Sequence, residues 1–191
     1  HDVINAAFEV FQRGMLADAR ADLTIFIYER LRGYLRDGGY SANEVESVLW
    51  TPPVRLDQVP HRLAAVRAFA ALPEAGSLAA ANKRVANILK QAEAKGESFA
   101  RAEAGKLQEP AERELFHAIE SASRRAMPLF ERGDYTGYLK TFAILKSPVD
   151  AFFESVMVMV DDADTRKNRL ALLADLRLAM NRVADISKLA A

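Results

Sequence analysis

Residues 77–90 read SLAAANKRVANILK, and the spacing of the apolar residues in this stretch decides the fold class. They recur every three or four positions, which places them on one face of an α-helix. The same spacing dominates the rest of the chain, and the alternation typical of a half-buried strand is almost absent. We therefore predict an all-α helical bundle. The buried face of this helix is predicted to consist of Leu78, Ala81, Val85, Ile88 and Leu89.

Start and stop signals divide the chain into helices with short connections. Gly38-Gly39 ends a helix that carries an apolar stripe from Leu23 to Leu35, and Ser41 with Glu44 forms a capping box for the next helix. Pro52-Pro53 interrupts the helical pattern. We predict a soft boundary near residue 75, between a helical body segment, 1–75, and a second domain, 76–191.

Two further expectations concern the ends of the chain. The apolar spacing already runs from Val3 to Phe11, so we expect His1 to lie in a helix cut from a longer polypeptide. Ser147-Pro148 predicts the start of a helix over 149–160. Its expected core residues are Phe152, Phe153, Met157 and Met159.

The composition excludes several classes of protein. The 26 basic and 26 acidic residues cancel, so any nucleic-acid surface must be a local patch. The absence of cysteine excludes disulfides, thiolate catalysis and thiolate metal sites, and fits a reducing compartment. No segment approaches the roughly 18 uninterrupted apolar residues of a membrane span, and no signal peptide is visible. We expect a cytoplasmic protein without a membrane partner.

The sequence contains no catalytic constellation that we can identify. It lacks the P-loop, GxGxxG, HExxH and GxSxG motifs. His61 and His117 lie beside charged neighbours on predicted helices, so we interpret them as surface residues, and His1-Asp2 lacks the further ligands of a metal phosphohydrolase. The acidic cluster at 161–164 could bind a divalent ion, although a helix start favoured by the macrodipole is the simpler interpretation. We predict no catalytic and no metal-binding residue.

One face of the helix over 77–90 carries the first candidate binding group. Lys83, Asn87 and Lys90 follow an i, i+4, i+7 spacing opposite the apolar stripe, and Arg84 flanks them. Ammonium and guanidinium groups neutralise phosphate, while an amide both donates to and accepts from base edges. The group suits RNA, but solvated helix faces share this composition.

A second group, RKNR at residues 166–169, begins the last predicted helix. Positive charge at a helix N-terminus opposes the macrodipole, so a ligand is one reason to keep it there. Asn168 and Arg169 are its candidate binding residues. For both groups, a structural role in capping or an ion pair is an open alternative.

Separated motifs in the same order carry a family resemblance. They are IYERLRGYL at 27–35, VESVL at 45–49, AANKRVANILK at 80–90, PVDAFFESVMVM at 148–159, NRLALL at 168–173 and RVADIS at 182–187. Across essentially the whole chain, they resemble the C-terminal part of the bacterial glycyl-tRNA synthetase β subunit.

The resemblance implies a DALR-type anticodon-binding domain from about residue 76, similar to that of arginyl-tRNA synthetase. It implies a parent enzyme that joins glycine to tRNA(Gly) with ATP and magnesium, whose active site lies on a separate α subunit. This chain would itself hold no cofactor, and its partners would be tRNA(Gly) and the α subunit, not DNA. The residues expected to contact the anticodon stem-loop are Lys83, Arg84, Asn87 and Lys90, followed by Asn168 and Arg169.

The anticodon itself limits the chemistry of recognition. Glycine codons begin with GG, so the anticodon carries two adjacent cytosines in a single-stranded loop. The amino donor and ring acceptors of cytosine suit a carboxylate or carbonyl paired with Arg or Asn. A helical module that docks the partner subunit without touching RNA is the alternative function, and an autonomous hydrolase is a third.

Overall fold

The computed structural model describes residues 2–11, 15, 17–50 and 55–190. The predictions for His1 and for Pro52-Pro53 lie outside these residues. The described residues form α-helices and short 3-10 helices without a β-strand, which confirms the all-α class. No single helix among them is long and apolar enough to cross a membrane, and only one pair, Leu56–Ala70 with Ala75–Ala94, bent by 110°, reaches that length and composition together.

The helices are α1 (Asp2–Glu9), α2 (Arg20–Asp37), α3 (Ala42–Leu49), α4 (Val59–Ala70), α5 (Ala75–Ala94), α6 (Pro110–Glu131), α7 (Tyr135–Thr141), α8 (Lys146–Ser155) and α9 (Ala163–Met180). Four 3-10 helices, Leu56–Gln58, Ala104–Lys106, Phe142–Leu145 and Ile186–Leu189, lie between or after them. Helix α6 packs against α7, α8 and α9, while α4 packs against α7 and α5 against α9.

The structure confirms the capping box predicted from Ser41 and Glu44, which begins α3. Glu44 N donates to Ser41 Oγ at 3.2 Å, and Ser41 N donates to Glu44 Oε2 at 2.7 Å. The hydrogen bond from Arg67 on α4 holds the pKa of Glu44 at about 2, below its usual 4.5. Just before this cap, Gly39 takes a φ of 86°, a conformation that favours glycine and ends the preceding helix as predicted.

One hydrophobic core joins the two predicted segments. Its buried residues run from Leu35 on α2 to Ile186 near the end of the chain. The 3-10 helix Ile186–Leu189 packs against both α3 and α5, and Asp185 N donates to Ser47 O at 2.8 Å. Elements on either side of residue 75 therefore share an interior, and the domain boundary there stays a prediction.

The apolar stripe on α2 is only partly buried, and the predicted end of the helix that follows Ser147-Pro148 is wrong. On the α2 stripe Leu35 is buried, whereas Leu23 and Phe26 are 37% and 51% exposed. Helix α8 ends at Ser155 rather than near 160, because the chain continues in an extended conformation from Val156. Side chains of an extended segment alternate between its two sides.

That alternation decides which of the expected core residues are buried. Val156 and Val158 point inward, whereas Met157 and Met159 are 72% and 42% exposed, so the prediction that both methionines lie in the core is wrong. Phe152 is fully buried as predicted. Phe153 is half-buried.

Candidate RNA-binding surface

The outward face of α5 carries the predicted cations and amide. Leu78, Val85 and Leu89 are buried on the opposite face, so the helical period turns Lys83, Asn87 and Lys90 to solvent. No ion pair or hydrogen bond joins the side chains of Lys83, Asn87 and Lys90 to any described residue. Their donors are available to a ligand.

Arg84 borders this face and is held by an aromatic ring. Its guanidinium carbon lies 4.1 Å from the centroid of the Phe153 ring, a cation–π arrangement that orients the planar group. Arg84 is exposed and forms no ion pair with a described residue. The guanidinium therefore keeps hydrogen-bond donors for a phosphate or a base. We define Lys83, Arg84, Asn87 and Lys90 as the α5 cationic face.

Asn168, in contrast, is buried and bound within the protein. Only 6% of the residue is exposed. Its Oδ1 accepts from Glu103 N at 2.8 Å, and its Nδ2 donates to Glu103 O at 3.1 Å. The amide thereby fixes the segment between α5 and α6 to α9. These hydrogen bonds do not support the predicted contact between Asn168 and tRNA. They support the alternative, a structural role for Asn168.

Arg169 likewise faces the interior, with 6% of the residue exposed. It forms a buried ion pair with Glu112 on α6 and donates to Met157 O at 2.8 Å. Glu112 is 1% exposed and also accepts from Gln108 N at 2.6 Å. Because α9 turns this side chain toward α6, its predicted contact with tRNA is not supported either.

The remaining predicted features at the start of α9 also stabilise the fold. Arg166 pairs with Glu97 at 2.8 Å, so a cation near the positive end of the helix has an internal counter-charge. Asp162 Oδ1 accepts from Thr165 N at 2.8 Å, and the hydrogen bonds to Thr165 lower the pKa of Asp162. This cap confirms the helix-start interpretation for Asp162. Among the described residues, no cluster of three or more His, Asp or Glu is placed to hold a metal ion.

A cleft between α6 and α9 is a second candidate binding surface, and no sequence pattern indicates it. Its volume is about 540 Å³, and Arg101, Arg124, Arg182 and Asp175 line it. These residues come from the segment before α6, from α6, from beyond α9 and from α9. Only folding brings such distant positions together, so inspection of local spacing misses them.

Comparisons with known proteins agree with this architecture. Residues 78–187, more than half of the chain, match the family described as "DALR anticodon binding domain". The chain is 56% identical over 191 residues to the protein named glycine–tRNA ligase beta subunit of Thiobacillus denitrificans, and 53% identical over 191 residues to that of Janthinobacterium sp.. Each alignment covers 100% of this chain and 27% of the relative, so the chain spans about a quarter of its curated relatives' length.

These matches confirm the resemblance to the glycyl-tRNA synthetase β subunit on which the sequence interpretation rested. The family match begins at residue 78 in α5 and extends past α9 to the final 3-10 helix, so it includes both the α5 cationic face and the cleft. By this match, the chain belongs to the DALR anticodon-binding domain family.

Proposed function

We propose that this chain binds the anticodon stem-loop of tRNA(Gly), as the non-catalytic C-terminal part of a glycine–tRNA ligase β subunit. The observation that carries the proposal is the α5 cationic face, whose side chains are exposed and form no ion pair or hydrogen bond with a described residue, within an anticodon-binding family domain. In this proposal the α subunit supplies the active site, which uses ATP and magnesium to join glycine to tRNA(Gly). The complete enzyme would work in the cytoplasm.

The α5 cationic face can contact a single strand at more than one phosphate. Lys90 follows Lys83 by seven positions of helix, a rise of roughly 10 Å along the axis. The two ammonium groups neutralise backbone phosphates, which supplies affinity without reading sequence. Asn87 lies between them and can donate to or accept from a base edge. Arg84, oriented by Phe153, adds a planar donor beside them.

A specific observation favours docking of a partner subunit as a second function. Leu23, Phe26 and Tyr34 lie on one side of α2 and are 37%, 51% and 75% exposed. Apolar side chains grouped on one helix often mark a protein interface. This surface lies on α2, so docking there is compatible with RNA binding on α5.

Salt dependence tests the RNA-binding proposal. The affinity of the chain for an RNA hairpin with the tRNA(Gly) anticodon loop is measured by fluorescence anisotropy between low and physiological salt. Counterion release predicts that the affinity falls as salt rises. Lys83→Glu should weaken binding and reduce the slope of log affinity against log salt by about one unit.

The matched control is Lys140→Glu, which reverses an exposed charge on α7. It should retain the wild-type slope. Equal affinity of wild type and Lys83→Glu, together with equal affinity for a hairpin of altered anticodon, would disprove anticodon binding by the α5 cationic face.

A further inference from the structure

The cleft between α6 and α9 has an apolar floor on which a flat ring can lie. Ile119 and Leu172 are buried beneath it, and Phe116 is half-buried. Leu178 borders the cleft and is 72% exposed. The volume of about 540 Å³ falls within the range of ligand pockets. Apolar and aromatic side chains of this kind provide the stacking surface that unpaired bases use.

Three arginines line the same cleft. The Arg101 side chain is 95% exposed. The Arg182 guanidinium carbon lies 5.0 Å from the Phe130 ring centroid, and neither Arg124 nor Arg182 forms an ion pair with a described residue. The carboxylates of Asp175 and Glu120 also line the cleft, so the net formal charge of its lining side chains is +1. Such a site attracts a phosphate-bearing ligand.

Asp175 and Arg101 form an acceptor and donor pair within this cleft. Asp175 Oδ2 accepts from Ala102 N at 3.0 Å, which fixes the carboxylate. Asp175 Oδ1 has no hydrogen bond from a described residue, and its nearest cation, Arg101 Nε, lies 3.9 Å away. This distance is too long for a direct hydrogen bond, so both groups can bind a ligand.

We propose that this cleft binds one unstacked cytosine of the anticodon loop. Asp175 Oδ1 accepts from the exocyclic amino group of cytosine, while Arg101 donates to its ring nitrogen or carbonyl oxygen. Uracil places a carbonyl where cytosine has its amino group, so the carboxylate disfavours it. The inference rests on the proposed function and adds a cleft that reads one base of the loop, whereas the two lysines of the α5 cationic face contact the backbone.

Asp175→Asn tests this assignment because it exchanges the group that faces the base. Ala102 N requires an acceptor, so the new amide oxygen replaces Oδ2 and its NH₂ group replaces Oδ1. We expect the affinity for the anticodon hairpin to fall about tenfold. We also expect the variant to prefer a hairpin with uridine at one of the two cytosine positions. Both affinities are measured by anisotropy at one salt concentration.

Two further variants separate base reading from loss of fold or charge. Glu114→Gln removes one exposed negative charge on α6 outside the cleft and should keep the wild-type preference for cytosine. Arg101→Gln changes a side chain that is 95% exposed, so it should weaken cytosine binding without altering far-UV circular dichroism or the unfolding midpoint.

Each outcome supports or overturns the assignment. It is overturned if Asp175→Asn and Arg101→Gln both discriminate cytosine from uridine as the wild type does. It is also overturned if these variants keep RNA discrimination and lose binding of the α subunit, because the cleft would then be a protein-docking site. If the wild type binds hairpins regardless of the anticodon or binds none, anticodon binding itself fails, an outcome visible before any cleft variant is made.

Discussion

Two helices of this chain carry similar clusters of cations with an amide, and they use them in opposite ways. On α5, Lys83, Asn87 and Lys90 face solvent without a partner among the described residues. On α9, Asn168 and Arg169 are buried and bound to other parts of the same chain. Both clusters combine cations with an amide, so residue composition alone does not explain the difference.

What differs is the element that faces each cluster. Helix α9 presents Asn168 to the backbone of Glu103 and presents Arg169 to Glu112 on α6. A side chain with a complementary group opposite it becomes part of the framework, because an unpaired buried charge or amide is costly. The same residue types are available to a ligand only where no such group faces them.

The largest expected effect follows from removing the buried cation. Arg169→Met leaves the carboxylate of Glu112 buried without its counter-charge and should reduce the free energy of unfolding by about 3–5 kcal/mol. Urea denaturation followed by far-UV circular dichroism measures the loss. The control Lys167→Met changes an exposed residue two positions before Arg169 and should alter stability by less than about 0.5 kcal/mol.

A second substitution tests whether the loss arises from the isolated charge. Replacing Glu112 by Leu in the Arg169→Met variant removes the unpaired carboxylate, so the double variant should recover part of the stability. Equal stability of Arg169→Met and Lys167→Met would contradict the structural role and return Arg169 to the candidate RNA contacts.

The two amides allow a closely matched comparison of smaller magnitude. Asn168→Ala removes two hydrogen bonds to Glu103 and should cost about 1–2 kcal/mol of unfolding free energy. Asn87→Ala has the same change in helix propensity but no internal hydrogen bond to lose, so its stability should not decrease. Hairpin affinity should show the reverse order, with the larger loss in Asn87→Ala. Similar losses of both stability and affinity in the two variants would remove the distinction between the clusters.

Sequence periodicity predicted much of the fold and about half of the site. The buried face of α5, the capping box at Ser41 and the exposure of Lys83 follow from local spacing, because a helix fixes which side chains share a face. Which face meets another element depends on packing between distant residues. The pairing of Arg169 with Glu112, 57 positions away, is therefore invisible in either local motif.

The residues of the cleft also could not be predicted from local sequence patterns. Asp175 lies within the largely buried helix α9, and Arg101 lies in an irregular segment 74 positions earlier. Neither position belongs to a motif. Folding places them 3.9 Å apart, and only then does a combined donor and acceptor for a base exist. The spacing along one helix was enough to propose the backbone contacts, whereas the proposed base-reading residues come together only in the tertiary structure.

The smallest expected effect concerns how the two helices begin. Asp162 caps α9, whereas Glu74, at the N-cap position of α5, forms no side-chain cap. Hydrogen bonds to Thr165 lower the pKa of Asp162, so its stabilising contribution is present above the usual carboxyl pKa of 3.8 and is lost as the pH falls below that value through the lower pKa of the folded state. Asp162→Asn can still cap the helix, but it cannot carry this pH dependence.

Thermal unfolding midpoints of wild type and Asp162→Asn between pH 7 and pH 3 measure this contribution. We expect the variant to unfold at a slightly lower temperature at pH 7, a smaller change than in Asn168→Ala, and the gap to close toward pH 3. The control is Asp164→Asn, which removes an exposed charge in the same first turn without removing a cap. An equal gap in Asp164→Asn would mean that nearby charge rather than the Thr165 hydrogen bonds stabilises this end of α9. A gap independent of pH would mean that the ionised carboxylate of Asp162 contributes nothing. Either result would leave the contrast with α5 to Asn168 and Arg169 alone.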